Sequence, residues 1–166
     1  ASTLVVDTSS KAQADAAVPS LVECLPPGFA LALLNMQTSP QAAMAQWLLE
    51  QEAPEGFYID QECELKASGD SGAVVRYGRH PLDIEEVRQH IEQGKLPTKL
   101  ALTFDGRVSF VLTDGLRLRS IQLQDVARDD GGAESGFDAD VAIITGELAR
   151  LLPALTVALG GDSAAV

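Results

Sequence analysis

Aromatic side chains are scarce in this sequence. Its 166 residues include only five Phe, two Tyr and one Trp. Proteins that bind single-stranded nucleic acid by stacking its bases need several aromatic platforms. The composition therefore argues against base stacking as a main binding mode. Any binding of nucleic acid is expected to depend on backbone charge, with little sequence preference.

Cysteine and histidine are also rare. Cys24 and Cys63 lie far apart and outside any C-x-x-C pair, which predicts small buried side chains in a reducing compartment. Two His residues, and acidic residues without EF-hand spacing, predict no metal site and no cofactor. The sequence also lacks a Walker phosphate loop, a dinucleotide fingerprint and a nucleophile elbow. These absences predict that the protein is not an enzyme. An enzymatic role would require turnover of a nucleic-acid substrate with added metal.

The sequence shows neither a signal peptide nor a membrane span. No charged region with a following apolar core precedes the strand-like residues 3–7. The longest apolar stretch, residues 151–159, contains Pro153 and is too short to cross a bilayer. These features predict a cytoplasmic protein without membrane contact. The abrupt start at Ala1 predicts that a further N-terminal portion precedes it.

Negative charge dominates the chain but is unevenly distributed. The net charge is −12, which by itself argues against binding to nucleic acid. Between Arg76 and Arg119, however, eight cations stand against six anions, whereas the remainder holds four cations and eighteen anions. One segment could therefore present a cationic face while the rest of the protein repels DNA.

The residue pattern predicts an α+β fold with mixed or antiparallel sheets and packed helices, including an antiparallel meander and a long C-terminal helix. Residues 1–37 are predicted to be the C-terminal part of a ferredoxin-like α/β unit: a strand at 3–7, a helix capped by Ser9 or Ser10 and ending near Cys24, and a strand-length apolar run at 29–36. Residues 38–160 are predicted to form an α+β domain, followed by a disordered tail at 161–166.

The α+β domain opens with well-marked elements. Ser39-Pro40 predicts the start of a helix over residues 41–50, with Ala43 and Trp47 facing inward. Alternation predicts a half-buried strand at 57–66 with a partner strand at 73–77. Asp83, with Glu86 three residues later, predicts a capping box for a helix that closes at Gly94.

A three-stranded meander is predicted over residues 99–124. A two-residue turn at Asp105-Gly106 would mix polar and apolar side chains on one face. We therefore expect a three-residue loop or a bulge that pairs Phe104 with Val108 and Leu102 with Phe110. A last helix is predicted to begin near Asp138. Its apolar stripe comprises Phe137, Val141, Ile144, Leu148, Leu151, Leu155 and Leu159.

Eight residues are predicted to contact DNA through its phosphates. Lys99, Arg107, Arg117 and Arg119 are expected on the polar face of the meander, which could also be an ordinary solvated face. Arg76, Arg79 and His80 lie in a connection between a strand and a helix, where they could equally serve solubility. Lys95 lies at a joint between a helix and a strand, where it could instead complement the helix dipole.

Two segments resemble one known family. The stretch from Ile91 through Gly94-Lys95 to Thr98-Lys99-Leu100-Ala101-Leu102 is similar to a segment of the RdgC family of recombination-associated proteins. Phe137-Asp138-Ala139-Asp140 and Thr145-Gly146-Glu147-Leu148 resemble that family's FDAD and TGEL segments. Weaker similarity covers residues 47–76 and reaches back to residues 4–7, so the resemblance spans nearly the whole chain.

The resemblance implies a bacterial, nucleoid-associated homodimer that closes into a ring around duplex DNA. It implies binding of single- and double-stranded DNA without sequence preference, and restraint of the RecA recombinase by competition for DNA. Lys95, Lys99 and Arg76 match basic family positions, and Arg79 stands where the family can carry lysine. Tyr77-Gly78 and Pro81 depart from more basic or polar family residues. The alternative is that this part of the protein is mainly a dimerisation module with little DNA affinity of its own.

Overall fold

A five-stranded antiparallel sheet organises most of the chain. In this computed structural model, residues 3–29, 31–69, 72–124 and 137–162 are described. Two compact units can be distinguished, Ala1–Leu34 and Asn35–Val166. The second unit contains strands β1 (Phe57–Ala67), β2 (Val74–Gly78), β3 (Lys95–Phe104), β4 (Val108–Thr113) and β5 (Leu118–Leu123), in the spatial order β2-β1-β3-β4-β5. The α+β class is confirmed.

In the part of the first unit that the structure describes, residues 3–29 and 31–34, there is one helix, α1 (Lys11–Cys24). Ser10 is its N-cap, and its side chain accepts a hydrogen bond from the backbone N–H of Gln13. The strands predicted at residues 3–7 and 29–36 are wrong, because the described residues of both segments form no strand. A strand needs a neighbour for its backbone hydrogen bonds. Among the described residues the first segment has none, and the second has only a single bridge, from Met36 to Asp162.

Within the described residues, three further helices cover one face of the sheet. They are α2 (Pro40–Glu50), α3 (Glu85–Glu92) and α4 (Phe137–Ala158). Their buried side chains join the apolar face of the sheet in one core, with Met44 of α2, Val87 of α3 and Leu151 of α4 all 1% exposed or less. We call this covered side the inner face. The predicted helix after Ser39-Pro40 is confirmed, including burial of Ala43 and Trp47.

The register predicted for the meander is confirmed. Phe104 lies opposite Val108, and Leu102 lies opposite Phe110. The three intervening residues include Asp105 and Gly106, both with positive φ. This loop keeps the apolar side chains of β3 and β4 on the inner face. The third strand, Leu118–Leu123, is shorter than the predicted residues 116–124, and Leu116 just before it adopts a positive φ. Ser120 within the strand also has a positive φ, where the ladder with β4 shifts register.

Two helix predictions need correction. The capping box at Asp83 is wrong, because α3 begins two residues later, with Ile84 as an N-cap that makes no side-chain capping bond. Glu85 and Glu86 instead place negative charge in the first turn, which the helix dipole favours. The stripe predicted for α4 is buried only in its second half: Leu151 and Leu155 lie in the core, whereas Phe137 is 82% exposed.

The chain nevertheless contains a helix long enough to cross a membrane. The 22 residues of α4 meet that criterion by length and composition. The apolar stretch at residues 151–159, on which the prediction of no membrane span rests, is too short to meet it. The second half of α4 packs in the core, and Glu147 forms a buried ion pair. Only 17% of the apolar window of α4 is buried, and the buried residues of the helix are Glu147, Leu151 and Leu155, so it packs against the sheet along one side and leaves most of its surface open.

The end of the second unit is paired with its beginning. Asp162 forms an antiparallel bridge with Met36, and the backbone N–H of Gln37 donates to the carbonyl of Gly161. Residues 163–166 of the predicted tail lie outside the described residues.

The two cysteines should differ sharply in reactivity. Cys63 is 1% exposed, and burial, with a smaller effect of Glu62, raises the pKa of its thiol to about 12. The prediction of a buried cysteine is thus right for Cys63 and wrong for exposed Cys24. We expect one thiol to react with an aromatic disulfide reagent in the native protein and two after denaturation. Native labelling should vanish in C24S, and fast labelling of Cys63 would contradict its burial.

Candidate nucleic-acid interface

The sheet has a second face, opposite the three helices, which we call the outer face. Residues directly opposite each other in an antiparallel ladder share a face. Glu64 of β1 lies opposite Arg76 of β2 on one side and Lys99 of β3 on the other. Farther across the sheet, Arg119 of β5 lies opposite Val111 of β4. Three of the eight predicted DNA contacts, Arg76, Lys99 and Arg119, therefore belong to the outer face.

Arg76 and Lys99 converge on one carboxylate. The Oε2 atom of Glu64 lies 2.7 Å from Nε of Arg76 and 2.9 Å from Nζ of Lys99. The hydroxyl of Thr98 lies 2.8 Å from Oε1 of the same side chain. The hydrogen bond from Arg76, followed in size by that from Lys99, lowers the pKa of Glu64 to about 2. Glu64 is therefore ionised at neutral pH, and the two cations and one anion together carry a single positive charge.

A β-bulge creates this arrangement. Glu64 pairs with Lys99 and Leu65 pairs with Pro97, so Thr98 is an extra residue in β3. Thr98 and Lys99 consequently both reach the side chain of Glu64. On the other side of the bulge the alternation is reversed, and Pro97 is buried. Lys95, two residues earlier, shares the inner side with Pro97, and its Nζ lies 2.8 Å from Nδ1 of His90 on α3.

Arg107 is not brought to the outer face. Its Nε and Nη2 atoms donate to Oε1 of Glu147 on α4 at 2.8 and 2.7 Å. Both side chains are largely buried, with exposures of 18% for Arg107 and 8% for Glu147. Arg150 of α4 continues the network by contacting both Glu147 and Asp105. As a DNA contact Arg107 stays a prediction, and its geometry favours a role in holding α4 against the hairpin of β3 and β4.

Arg117 and Arg119 are the most accessible of the predicted contacts in the meander. Both are exposed, and within the described residues neither forms an ion pair. The backbone of Arg117 is fixed by Thr113, whose hydroxyl accepts its N–H and whose N–H donates to its carbonyl. Two exposed guanidinium groups thus stand at the edge of the sheet, and no carboxylate of the described residues pairs with either of them.

Arg79 and His80 lie in the exposed connection between β2 and α3. Arg79 adopts a positive φ of 55°. The backbone N–H of His80 donates to the carbonyl of Gln61, and its Nδ1 atom lies 2.8 Å from the carbonyl oxygen of Pro81. The connection is therefore tied to β1 and has a defined backbone.

Sequence patterns missed the two features that shape this site. Glu64 could be recognised as an outward residue of β1, but nothing local indicates that it lies between Arg76 and Lys99. The bulge at Thr98 changes the face on which Lys95 lies, and no Gly or turn signal marks it. Over the ranges that the structure describes, no three His, Cys, Asp or Glu side chains come together in a way that could hold a metal ion.

The fold and this surface define a class: an α+β protein whose antiparallel sheet is covered by helices on one face and carries Arg76, Lys99 and Arg119 beside Glu62 and Glu64 on the other. Comparison with known proteins narrows the class. Residues 1–162 match the protein family described as "Putative exonuclease, RdgC". The chain belongs to the RdgC family.

Curated relatives agree with this assignment. The recombination-associated protein RdgC of Dechloromonas aromatica is 47% identical over 165 residues, covering 95% of this chain and 54% of the relative. Those of Cupriavidus necator and Bordetella pertussis are 46% and 43% identical over 164 residues, each covering 96% of this chain and 54% of the relative. The chain thus spans about half the length of the curated relatives it matches.

Proposed function

We propose that the outer face binds the DNA backbone without sequence preference, as part of a recombination protein that acts without catalysing a reaction. The observation that carries this proposal is the exposure of Arg117 and Arg119 on a sheet that also bears Arg76 and Lys99. Cations without a carboxylate partner gain most when a phosphate replaces their counterions. The other predicted contacts, Arg79, His80, Lys95 and Arg107, are secondary because each is fixed by local bonds, faces the helices or lies in a separate connection.

The remaining elements of the proposal concern the whole protein. It would form a ring-shaped homodimer around duplex DNA, also bind single strands, and restrain RecA by occupying its DNA. This proposal is supported by family membership and by the excess of cations over anions between Arg76 and Arg119, in a chain whose net charge is −12. A soluble protein of the bacterial cytoplasm, associated with the nucleoid, is the expected setting.

A second candidate function is assembly. The first half of α4 leaves Phe137 82% and Val141 41% exposed, and Val157 near its end is 76% exposed. Apolar side chains on one exposed helix are suited to contact with another protein surface. In this alternative the described part of the protein mainly builds the dimer and has little DNA affinity.

The double substitution R117Q/R119Q tests the DNA proposal. With the full-length protein, we expect the slope of log K against log salt to become shallower by about 2 per chain, because each lost phosphate contact removes about 0.9. Affinity for duplex DNA at about 50 mM salt should fall roughly 10- to 100-fold. Fluorescence anisotropy with a labelled duplex of mixed sequence, measured over a salt series, gives both quantities.

A control with the same net charge separates local contact from overall charge. Q89E/Q93E also lowers the net charge by two, but on exposed positions of α3 and its C-cap, on the helix-covered side. It should leave the salt slope within about 0.5 of wild type, far from the change of about 2 expected for the two contacts. Unchanged DNA binding in R117Q/R119Q, with a dimer lost on mutating Phe137 and Val141, would favour the assembly role. Degradation of DNA with added Mg²⁺ would instead support the exonuclease description.

A further inference from the structure

One hydrogen-bonded group on the outer face consists of Glu64, Arg76, Lys99 and Thr98. The proposed function requires only the two cations of this group. If the outer face only had to be cationic, a carboxylate at its centre would be unfavourable. Glu64 is nevertheless placed between two of the cations, and its side chain is only 14% exposed. Arg76 and Lys99 are more accessible, at 73% and 35%. Both cations can therefore reach an external anion, while the carboxylate that holds them lies beneath.

We propose that Glu64 occupies the place of a DNA phosphate between Arg76 and Lys99 and thereby limits the affinity of the outer face. A carboxylate and a phosphate offer the same kind of acceptor oxygen to guanidinium and ammonium groups. In the free protein, Oε2 of Glu64 accepts from both cations. When DNA binds, a phosphate oxygen replaces Glu64 in part of these hydrogen bonds. The favourable free energy of binding is therefore smaller than it would be if both cations had no carboxylate partner in the free protein. This inference rests on the proposed function.

The bonding of Glu64 explains why it can remain in place during this exchange. Thr98, the extra residue of the bulge, keeps its hydroxyl 2.8 Å from Oε1, and that atom is not the one that the cations share. Oε1 of Glu64 therefore binds the Thr98 hydroxyl, while Oε2 binds the two cations. A low pKa, near 2, means that protonation does not relieve the competition at any ordinary pH.

The substitution E64Q removes the charge and keeps the shape of the side chain. In the full-length protein, we expect duplex DNA to bind about three- to tenfold more tightly at about 50 mM salt, with a salt slope steeper by about 0.9, because one more cation is available to phosphate. The gain should shrink as salt rises. Arg76 and Lys99 are partly solvated, so loss of their partner leaves no buried charge and the variant should fold.

Two further variants make the test specific. E62Q removes one negative charge two residues away on the same strand, from an exposed side chain for which no ion pair is seen in the described part of the chain. It should raise affinity less than E64Q does, because no cation among the described residues is seen to donate to its carboxylate, although both side chains lie on the outer face. In the background R76Q/K99Q, E64Q should have no effect on the salt slope, since the cations it would release are gone.

The outcomes separate the two proposals. A wild-type protein that does not bind duplex DNA would remove the proposed function itself. A wild-type protein that binds, with E64Q binding equally or more weakly, would overturn only the inference and would make Glu64 a simple support for the two cations. Equal gains from E64Q and E62Q would also overturn it, because net charge alone would then explain the effect.

Discussion

Replacing Arg107 by alanine is expected to lower the free energy of unfolding by about 3 kcal/mol. Removing one partner of a buried ion pair leaves the other charge without compensation, which typically costs 3–5 kcal/mol. The lower end applies here because Nη1 of Arg150 still lies 3.3 Å from Oε2 of Glu147. Chemical denaturation followed by circular dichroism at neutral pH measures the change.

Two comparisons make the Arg107 result interpretable. R119A removes an exposed arginine of the same meander and should change stability by less than about 0.5 kcal/mol. The double variant R107M/E147M should recover much of the loss, because a buried pair replaced by apolar side chains of similar size is often tolerated. An R107A protein as stable as wild type but with weakened DNA binding would contradict the structural role and would return Arg107 to the outer-face contacts.

Truncating Leu151 should have an effect of similar size. Leu151 on α4 is 0% exposed, and leucine-to-alanine changes at such positions cost about 2–5 kcal/mol through lost burial and the cavity left behind. Val157 on the same helix is 76% exposed, and V157A should cost less than about 0.5 kcal/mol. Thermal unfolding of the two variants in aqueous buffer gives the comparison.

This pair of substitutions also tests the position of α4. If α4 spanned a bilayer, Leu151 would not be part of a water-soluble core, and L151A would not lower stability in aqueous buffer through loss of that core. Equal effects of L151A and V157A, or a requirement for detergent to keep the wild-type protein folded, would contradict the packing of α4 against the sheet. A large difference between them supports it.

The second unit could be predicted well because its signals are local and consistent. Alternation set the faces of β3 and β4, and the conflict that a two-residue turn would create was enough to give the correct register at Phe104 and Val108. The first unit was predicted less well. Apolar runs of strand length at residues 3–7 and 29–36 indicate extended chain, but a strand exists only when another strand lies beside it, and a local pattern does not show this.

The candidate site also has features that could be predicted from the sequence and features that could not. The accessibility of Arg117 and Arg119 follows from their place in a polar turn and edge strand, and it was predictable. The burial of Arg107 was not, because its partner Glu147 is forty residues away in the sequence. Charge patterns identify where cations occur, whereas the partners that neutralise them depend on contacts distant in sequence.

The bulge in β3 has a consequence for the evolution of this protein. Helix α3 ends at Glu92, and β3 begins at Lys95, so only Gln93 and Gly94 separate them. Losing Thr98 would leave Lys99 opposite Glu64 and Pro97 opposite Leu65, so the side chains of β3 would keep their faces and only the hydroxyl bond to Glu64 would be lost. Because the connection to α3 is short, a one-residue loss among descendants should occur at Thr98 more readily than elsewhere between Gly94 and Leu100.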